Sequence, residues 1–385
     1  MCFVFLQYMS GVKKVAIISN FPAWLVNKDV PVRQGHYPVW LMPLYDSFHH
    51  CADYEIHWLT LSRNIKSPIR FTRGNQYFHI LPCGSRTIGL YTMYIADRLR
   101  MFRELSSISP DLIHSWGTEN CFGLCAYDYR KRAKWLHSVQ GLLKAYMQLG
   151  EMSRFHRHQS AYEPKVLRSA DFITAESPWS ADKVRETAPD ANILVWDYAV
   201  ESRFFHVERN LSETPTCLYC GSGAAIKNLQ TLINVFSEPE LAHVKLIMAG
   251  PNPNQFGELA PNIQVLGRVS RDEVTRLMTK AWCLVHPSLA DTGPTVAKEA
   301  RVIGLPVVIS SHCGAQQYVK DGQSGFVTAP MDEDAIAAAI LKIVASKDAS
   351  LSMGEYAHGH CRQALSSETM CSSLIQIYEK LLGAV

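Results

Sequence analysis

Short apolar runs alternate with helical patterns along almost the whole chain, and the alternation stops and restarts once. Val15-Ala-Ile-Ile-Ser19 is rich in β-branched residues and reads as a strand buried on both faces. Similar runs follow at 54–59, 112–115, 135–139, 172–175 and 193–196, with helical patterns between them, notably at 90–105 and 118–132. A parallel strand pair needs a crossover long enough to hold a helix, so this alternation specifies a parallel α/β sheet. Residues 208–216 are polar, carry Pro215 and have no period, which marks a linker. Beyond it the alternation resumes at 217–220, 245–249, 263–266, 283–286, 306–309 and 325–327, with helices at 228–236, 271–280 and 334–345. Two α/β halves joined by a linker enclose a cleft, a preferred ligand site. A last helix, 368–382, has an apolar stripe at Met370, Leu374, Ile377 and Leu381 that needs a surface to cover.

Composition narrows the function classes. A chain of 385 residues is too long for one ordinary core and suits two domains. With 19% charged and 47% hydrophobic residues it has a soluble globular composition. A net charge of +3 is too small to argue for nucleic acid. No apolar run reaches the ~18 residues of a membrane-spanning helix. The opening MCFVFLQYM lacks a preceding basic region and a cleavage site, so no signal peptide is expected. Eleven scattered cysteines fit a reducing compartment, and Cys217-Leu-Tyr-Cys220, lacking a second pair, reads as core packing rather than a zinc site.

The most informative segment is 286–308, HPSLADTGPTVAKEARVIGLPVV. It reads as a strand end, a turn, a helix and another strand. Glu299 follows Asp291 by eight residues, which on a helix is roughly 12 Å along one face. Amides around Gly293, Thr295 and Val296 lie at the helix start, where unpaired N–H groups and the partial positive charge suit a phosphate. Acceptors at both ends with donors between them match a sugar–diphosphate–ribose string. Asp291 is also a good cap and Pro294 suits an early helical position, a role compatible with ligand binding.

These residues resemble the retaining glycosyltransferases of family 4, which have the GT-B architecture of two Rossmann-like α/β/α domains facing a cleft. The family's Glu-x7-Glu before a Gly-x-Pro strand start is matched by Asp291-x7-Glu299 and Gly304-Leu-Pro306. Gly221 with Lys227, the segment 314–327, Leu112-Ile-His114, and Ala170-Asp171 with Ser177 match further positions. The resemblance implies an acceptor-side domain at 1–207, a nucleotide-sugar domain at 208–365, and a terminal helix at 366–385 on the first domain. It implies that Lys227 binds the donor diphosphate, Glu299 takes the ribose hydroxyls and Asp291 contacts the transferred sugar. Arg268, within Gly267-Arg268-Val269, would lie at the base, and Gly35 would approach the phosphate, although an ordinary turn glycine reads equally well there.

Three positions depart from the family pattern. Ser222 stands where an Arg often follows the strand glycine, which removes one diphosphate partner; Lys298 or Arg301 are candidates to compensate, and the other reading places them on a solvated helix face. Gln140 replaces a His near the donor sugar, so it can position a hydroxyl but cannot titrate. Asp291 replaces a Glu and has the shorter arm. Gln140-Gly141 together with the acidic-x-x-Pro helix start resembles a bacterial branch that builds surface polysaccharides.

The implied reaction is transfer of a sugar from a nucleotide-sugar to a hydroxyl with retention of configuration. The acceptor is a glycan, a lipid-linked molecule or a small molecule, and the donor base is left open. No cofactor and no metal are implied; Asp332-Glu-Asp334 reads as the acidic start of a helix. The chain is expected in the cytoplasm. Basic stretches at 98–103, 130–134 and 154–168, with Phe102, Tyr127, Tyr129, Trp135 and Phe155 among them, read as solvated faces over core aromatics; peripheral membrane contact is the other reading. The rival classes are an epimerase or phosphorylase on the same scaffold, and a partner protein that has lost catalysis.

Overall fold

The computed structural model describes residues 11–32, 38–149, 153–356 and 358–383, so Gly35 lies outside the described residues. The first half forms an eight-stranded sheet from β1 (Lys13–Ile18), β2 (Tyr54–Ser62), β3 (Ile69–Arg73), β4 (Gln76–Pro82), β5 (Leu112–Trp116), β6 (Lys134–Ser138), β7 (Phe172–Ala175) and β8 (Ile193–Val195). Their order is β3-β4-β2-β1-β5-β6-β7-β8, parallel except for the β3–β4 pair. The second half forms a six-stranded sheet from β9 (Thr216–Cys220), β10 (Lys245–Ala249), β11 (Ile263–Gly267), β12 (Cys283–His286), β13 (Val307–Ser310) and β14 (Gly325–Thr328). Its order is β11-β10-β9-β12-β13-β14, all parallel. Helices cover both faces of each sheet, which is why β5, β12 and β13 are buried along their whole length. This is the GT-B fold.

In the second sheet the chain winds outward from β9 in one direction and from β12 in the other. The helices after β9 and β12 therefore diverge, and a crevice opens beyond the carboxyl ends of these two strands. Gly250, at the end of β10, has φ +113°, and a Cβ there would stand 2.0 Å from the Gly221 carbonyl oxygen. Only glycine lets these two strand ends approach, and both line the crevice.

The terminal helix Ser367–Leu382 packs on the first sheet. Met370, Leu374, Tyr378 and Leu381 join the same apolar cluster as Val15, Trp58 and Trp116. The Tyr378 hydroxyl lies 2.7 Å from His114 Nδ1, and Trp196 Nε1 donates to the Met370 carbonyl at 3.1 Å.

Three details differ from the sequence reading. The helix expected at 90–105 is two, Arg86–Tyr91 and Ile95–Ile108, broken where Met93 and Tyr94 take positive φ. The one expected at 118–132 spans only Phe122–Tyr129. The β3–β4 hairpin has no counterpart in the reading, because β3 is a half-exposed edge strand with no continuous apolar run. The interleaved aromatics are largely structural: Trp135 is fully buried, and Arg130 stacks on Tyr127 at 3.7 Å. No helix among the described residues is long and apolar enough to cross a membrane.

Candidate functional site

A cavity of about 910 Å³ occupies the crevice and extends across to the first domain. Asp291, Lys227, Gln140, Glu299, Gly293, Thr295, Val296, Arg268 and Ser222 all line it. Nine of the positions singled out from sequence thus meet in one space, although they come from both halves of the chain.

Lys227 ends the short 3-10 turn Ala225–Lys227, which Asn228 closes with a left-handed φ of 56°. The Asn228 amide donates to the carbonyls of Pro287 and Pro330, at 3.1 and 2.6 Å, and ties the turn to the loop after β12. That anchoring carries Lys227 Nζ to 2.5 Å from Asp291 Oδ2. His286 Nε2 lies 3.2 Å from the same oxygen. Burial works to raise the Asp291 pKa, but Lys227 and His286 outweigh it and hold the carboxyl well below the usual range. Burial likewise opposes the Lys227 charge, and Asp291 more than restores it, so the ammonium is held above its ordinary value.

Asp291 is not a helix cap. The helix Thr295–Ile303 has Pro294 at its N-cap position and no side-chain cap. Asp291 sits before it in a bridge to Cys313, donating its N–H to the His312 carbonyl at 3.1 Å. The eight-residue separation from Glu299 is therefore only half helical, which corrects the single-face spacing read from sequence. The uncapped helix start still faces the cavity through Thr295 and Val296. Gly293 is required there, since a Cβ would stand 2.0 Å from Glu176 Oε2.

Glu299 is 1% exposed and held by Arg271, whose Nη2 lies 2.6 Å from Oε1 and also 2.7 Å from Glu201 Oε1. Burial is the largest influence on Glu299 and leaves its pKa raised despite Arg271. Arg271 opens the helix Arg271–Lys280 after the Ser270 cap and lines the cavity. Sequence reasoning missed it: its partners lie 28 and 70 residues away, and its own helix gives no hint of them.

Neither candidate for the missing diphosphate cation serves. Lys298 is 1% exposed and committed to Asp197 at 2.6 Å and Glu176 at 3.3 Å, both from the first domain. Arg301 is fully buried and donates to the carbonyls of Leu305, Ser324 and Tyr356. Both lie on inward faces of the helix, not on the solvated face that was the other reading. Among the described residues, Arg271 and Arg268 are the arginines that line the cavity. Both cysteines of the Cys217–Cys220 pair pack in the core: Cys217 is buried, its Sγ 3.3 Å from that of Cys283, and Cys220 packs against the core while also lining the cavity. Asp332 caps the following helix, its Oδ1 accepting from Ala335 N at 2.9 Å. Among the described residues no His, Cys, Asp and Glu group is arranged to hold a metal ion.

Contacts across the cleft join the halves beside Asp291. Thr292 donates its hydroxyl to the Gln140 carbonyl, and Ser177 donates to the Thr292 carbonyl at 3.2 Å.

Residues 39–202 match the family described as Glycosyltransferase Family 4, and residues 201–360 match Glycosyl transferases group 1. A lipopolysaccharide core biosynthesis glycosyltransferase, LpsE of Rhizobium meliloti, is 23% identical over 220 residues, 55% of this chain and 65% of that protein, just under two thirds of its length. The structure is similar to sucrose-phosphate synthase from Thermosynechococcus elongatus, with a TM-score of 0.79 at 18% identity over 97% of this chain and 100% of that one. It is also similar to Anabaena HepE in complex with UDP-glucose, with a TM-score of 0.68 at 14% identity over 95% of this chain and 99% of that one.

Proposed function

The chain belongs to family 4 of the glycosyltransferases, and we propose that it transfers a sugar from a nucleotide-sugar to a hydroxyl acceptor with retained anomeric configuration. The observation that carries this reading is the meeting of Lys227, Asp291, the uncapped helix start and Glu299 in one cavity between the two sheets. Glu299 takes the ribose hydroxyls, with Arg271 remaining on Glu201. The diphosphate lies at Thr295 and Val296, with Lys227 and the arginines of the wall supplying positive charge. Asp291 and Gln140 hold the sugar from opposite domains.

In the reaction the bond from the anomeric carbon to the leaving phosphate breaks, and the acceptor oxygen bonds to the same face of that carbon. The leaving phosphate oxygen takes the acceptor proton, so no protein base is required. Negative charge grows on the diphosphate, where a preorganised ammonium and backbone amides act most strongly. Asp291 and Glu299 are clamps on one elongated donor. They are not the acid and base of a hydrolase, which stand on either side of one glycosidic bond. The acceptor we propose is a hydroxyl of a bacterial surface glycan, a reading supported by the similarity to LpsE. The HepE complex makes UDP-glucose the first donor to try.

The test is a donor panel incubated with simple glycoside acceptors, with product stereochemistry read by proton NMR. An α-linked nucleotide-sugar is expected to give an α-linked product, and turnover is expected to persist in excess chelator. A β-linked product would overturn retention. Activity abolished by chelator and restored by magnesium or manganese would overturn the metal-free reading.

A further inference from the structure

The geometry points to Glu119 as a positioning residue that decides which end of the Gln140 amide faces the sugar. This rests on the proposed donor site and adds a residue that no family pattern drew attention to. Glu119 lies in the loop after β5, at the carboxyl end of the first sheet, where the cavity opens. Its Oε2 is buried and has no hydrogen-bond partner among the described residues. Such a group costs free energy comparable to a lost hydrogen bond, so its retention calls for a use.

The carboxylate is seated between two glycines. A Cβ on Gly141 would stand 2.3 Å from Oε1, and one on Gly117 would stand 2.4 Å from Oε2. Gln140 Oε1 is 2.9 Å from that same Gly117 point, so the amide end of Gln140 and the unpartnered oxygen border one small space beside Gly117. The Gln140 backbone is fixed by the hydroxyl of Thr292, next to Asp291, and its side chain lines the cavity.

With Oε1 toward the carboxylate, two acceptors face each other. A half-turn of the amide exchanges its oxygen and nitrogen. Nε2 then donates to Glu119, and Oε1 is presented to the cavity as an acceptor for a sugar hydroxyl. An ionised Glu119 can only accept, so it enforces this orientation. A protonated Glu119 can donate to Oε1, which turns Nε2 to the cavity and inverts the polarity offered to the sugar. Burial and the nearby Glu163 push the Glu119 carboxyl up to about 7, against backbone N–H groups of Glu119, Gly141 and Thr118 that pull it down. Tyr146 and Tyr198, which also face it, are held neutral by burial. Gln140 cannot titrate itself, but its neighbour makes the site sensitive to pH.

The experiment compares wild type with Glu119→Leu, Glu119→Gln, Gln140→Leu and the Glu119→Leu/Gln140→Leu pair. UDP binding is measured first by thermal shift, then kcat and KM for UDP-glucose from pH 5.5 to 8.5. UDP is expected to stabilise all five proteins alike. Glu119→Leu is expected to lower kcat roughly 10- to 100-fold with UDP binding unchanged. Glu119→Gln can donate as well as accept and so no longer enforces the orientation; its kcat is expected to stay near the low-pH value of wild type across the range, without the fall in rate as pH drops through about 7. In the Gln140→Leu background, Glu119→Leu should cost nothing more. Wild-type kcat in a folded Glu119→Leu protein, a pH limb that survives in Glu119→Gln, or single effects that multiply in the pair would each overturn the inference. If Glu119→Leu does not fold, the pH profile of Glu119→Gln decides. Failure of any nucleoside diphosphate to bind wild type would instead sink the donor site, and this inference with it.

Discussion

Replacing Lys227 by alanine is expected to lower turnover by roughly 10²–10³-fold, the usual cost of removing one preorganised stabiliser of developing charge. The change removes the ammonium that stands 2.5 Å from Asp291 and beside the uncapped helix start. The effect should fall on kcat and on nucleoside diphosphate binding together, because the diphosphate is present in both ground and transition states. Stability should fall less than for a fully buried pair, since the Lys227 side chain is 21% exposed and His286 still faces Asp291. The pH signature follows from the sign of the Asp291 shift. A carboxyl whose folded pKa lies below its unfolded one stabilises the folded state above the unfolded pKa, and that contribution is lost as pH falls toward the folded value. Lys227→Ala should therefore cost stability mainly above about pH 4, the ordinary aspartate value, and the deficit should shrink as pH falls below it. Steady-state kinetics and acid unfolding curves check both parts; unchanged kcat in the folded variant would remove Lys227 from the reaction.

Lys298→Met should have the largest effect on stability. It strands Glu176 and Asp197, 5% and 10% exposed, without the ammonium that separates them. Breaking a buried ion pair by removing one partner costs about 3–5 kcal/mol, whereas replacing the whole group by neutral residues is often harmless. The triple replacement Lys298→Met, Glu176→Gln, Asp197→Asn should therefore recover most of the loss. In Lys298→Met the Glu176 carboxyl, already pushed up by burial and now without its ammonium, takes up a proton more readily in the folded state than in the unfolded one. By linkage the deficit should grow as pH rises and shrink as it falls. Because Lys298 belongs to the second domain and its partners to the first, looser domain contact should also weaken donor binding. Chemical denaturation at pH 5 and pH 8 measures this; equal destabilisation at both, with no rescue in the triple variant, would mean that Lys298 acts through packing alone.

The strands of both sheets were legible because parallel strands buried on both faces read as continuous apolar runs, as in Val307–Ser310. β3 and β4 were not: β3 is an edge strand that needs no such run, and β4 alternates buried residues with the half-buried Tyr77 and His79. The Met93–Tyr94 break was hidden because nothing in ordinary helix-forming residues announces positive φ. At the site, Asp291, Glu299 and Lys227 stood out through local motif spacing. The long-range pairings around them did not: Arg271 meets Glu299 across 28 residues, and Lys298 meets Glu176 and Asp197 across 122 and 101. Such contacts are made by the tertiary fold and the meeting of two domains, and a side chain's own neighbours in sequence carry no trace of them. For the same reason Lys298 read as either a phosphate ligand or a solvated lysine when it is an interdomain tie.

The most direct test of the donor site is isothermal titration with UDP and UDP-glucose, applied to wild type, Lys227→Ala, Glu299→Ala and Arg271→Ala. Binding to wild type is expected, lost or weakened at least 10-fold in Lys227→Ala and Glu299→Ala. Arg271→Ala should bind more weakly as well, since it leaves Glu299 buried without its partner. Wild type that binds neither compound nor any other nucleoside diphosphate would contradict the account, as would Lys227→Ala and Glu299→Ala proteins that bind as tightly as wild type.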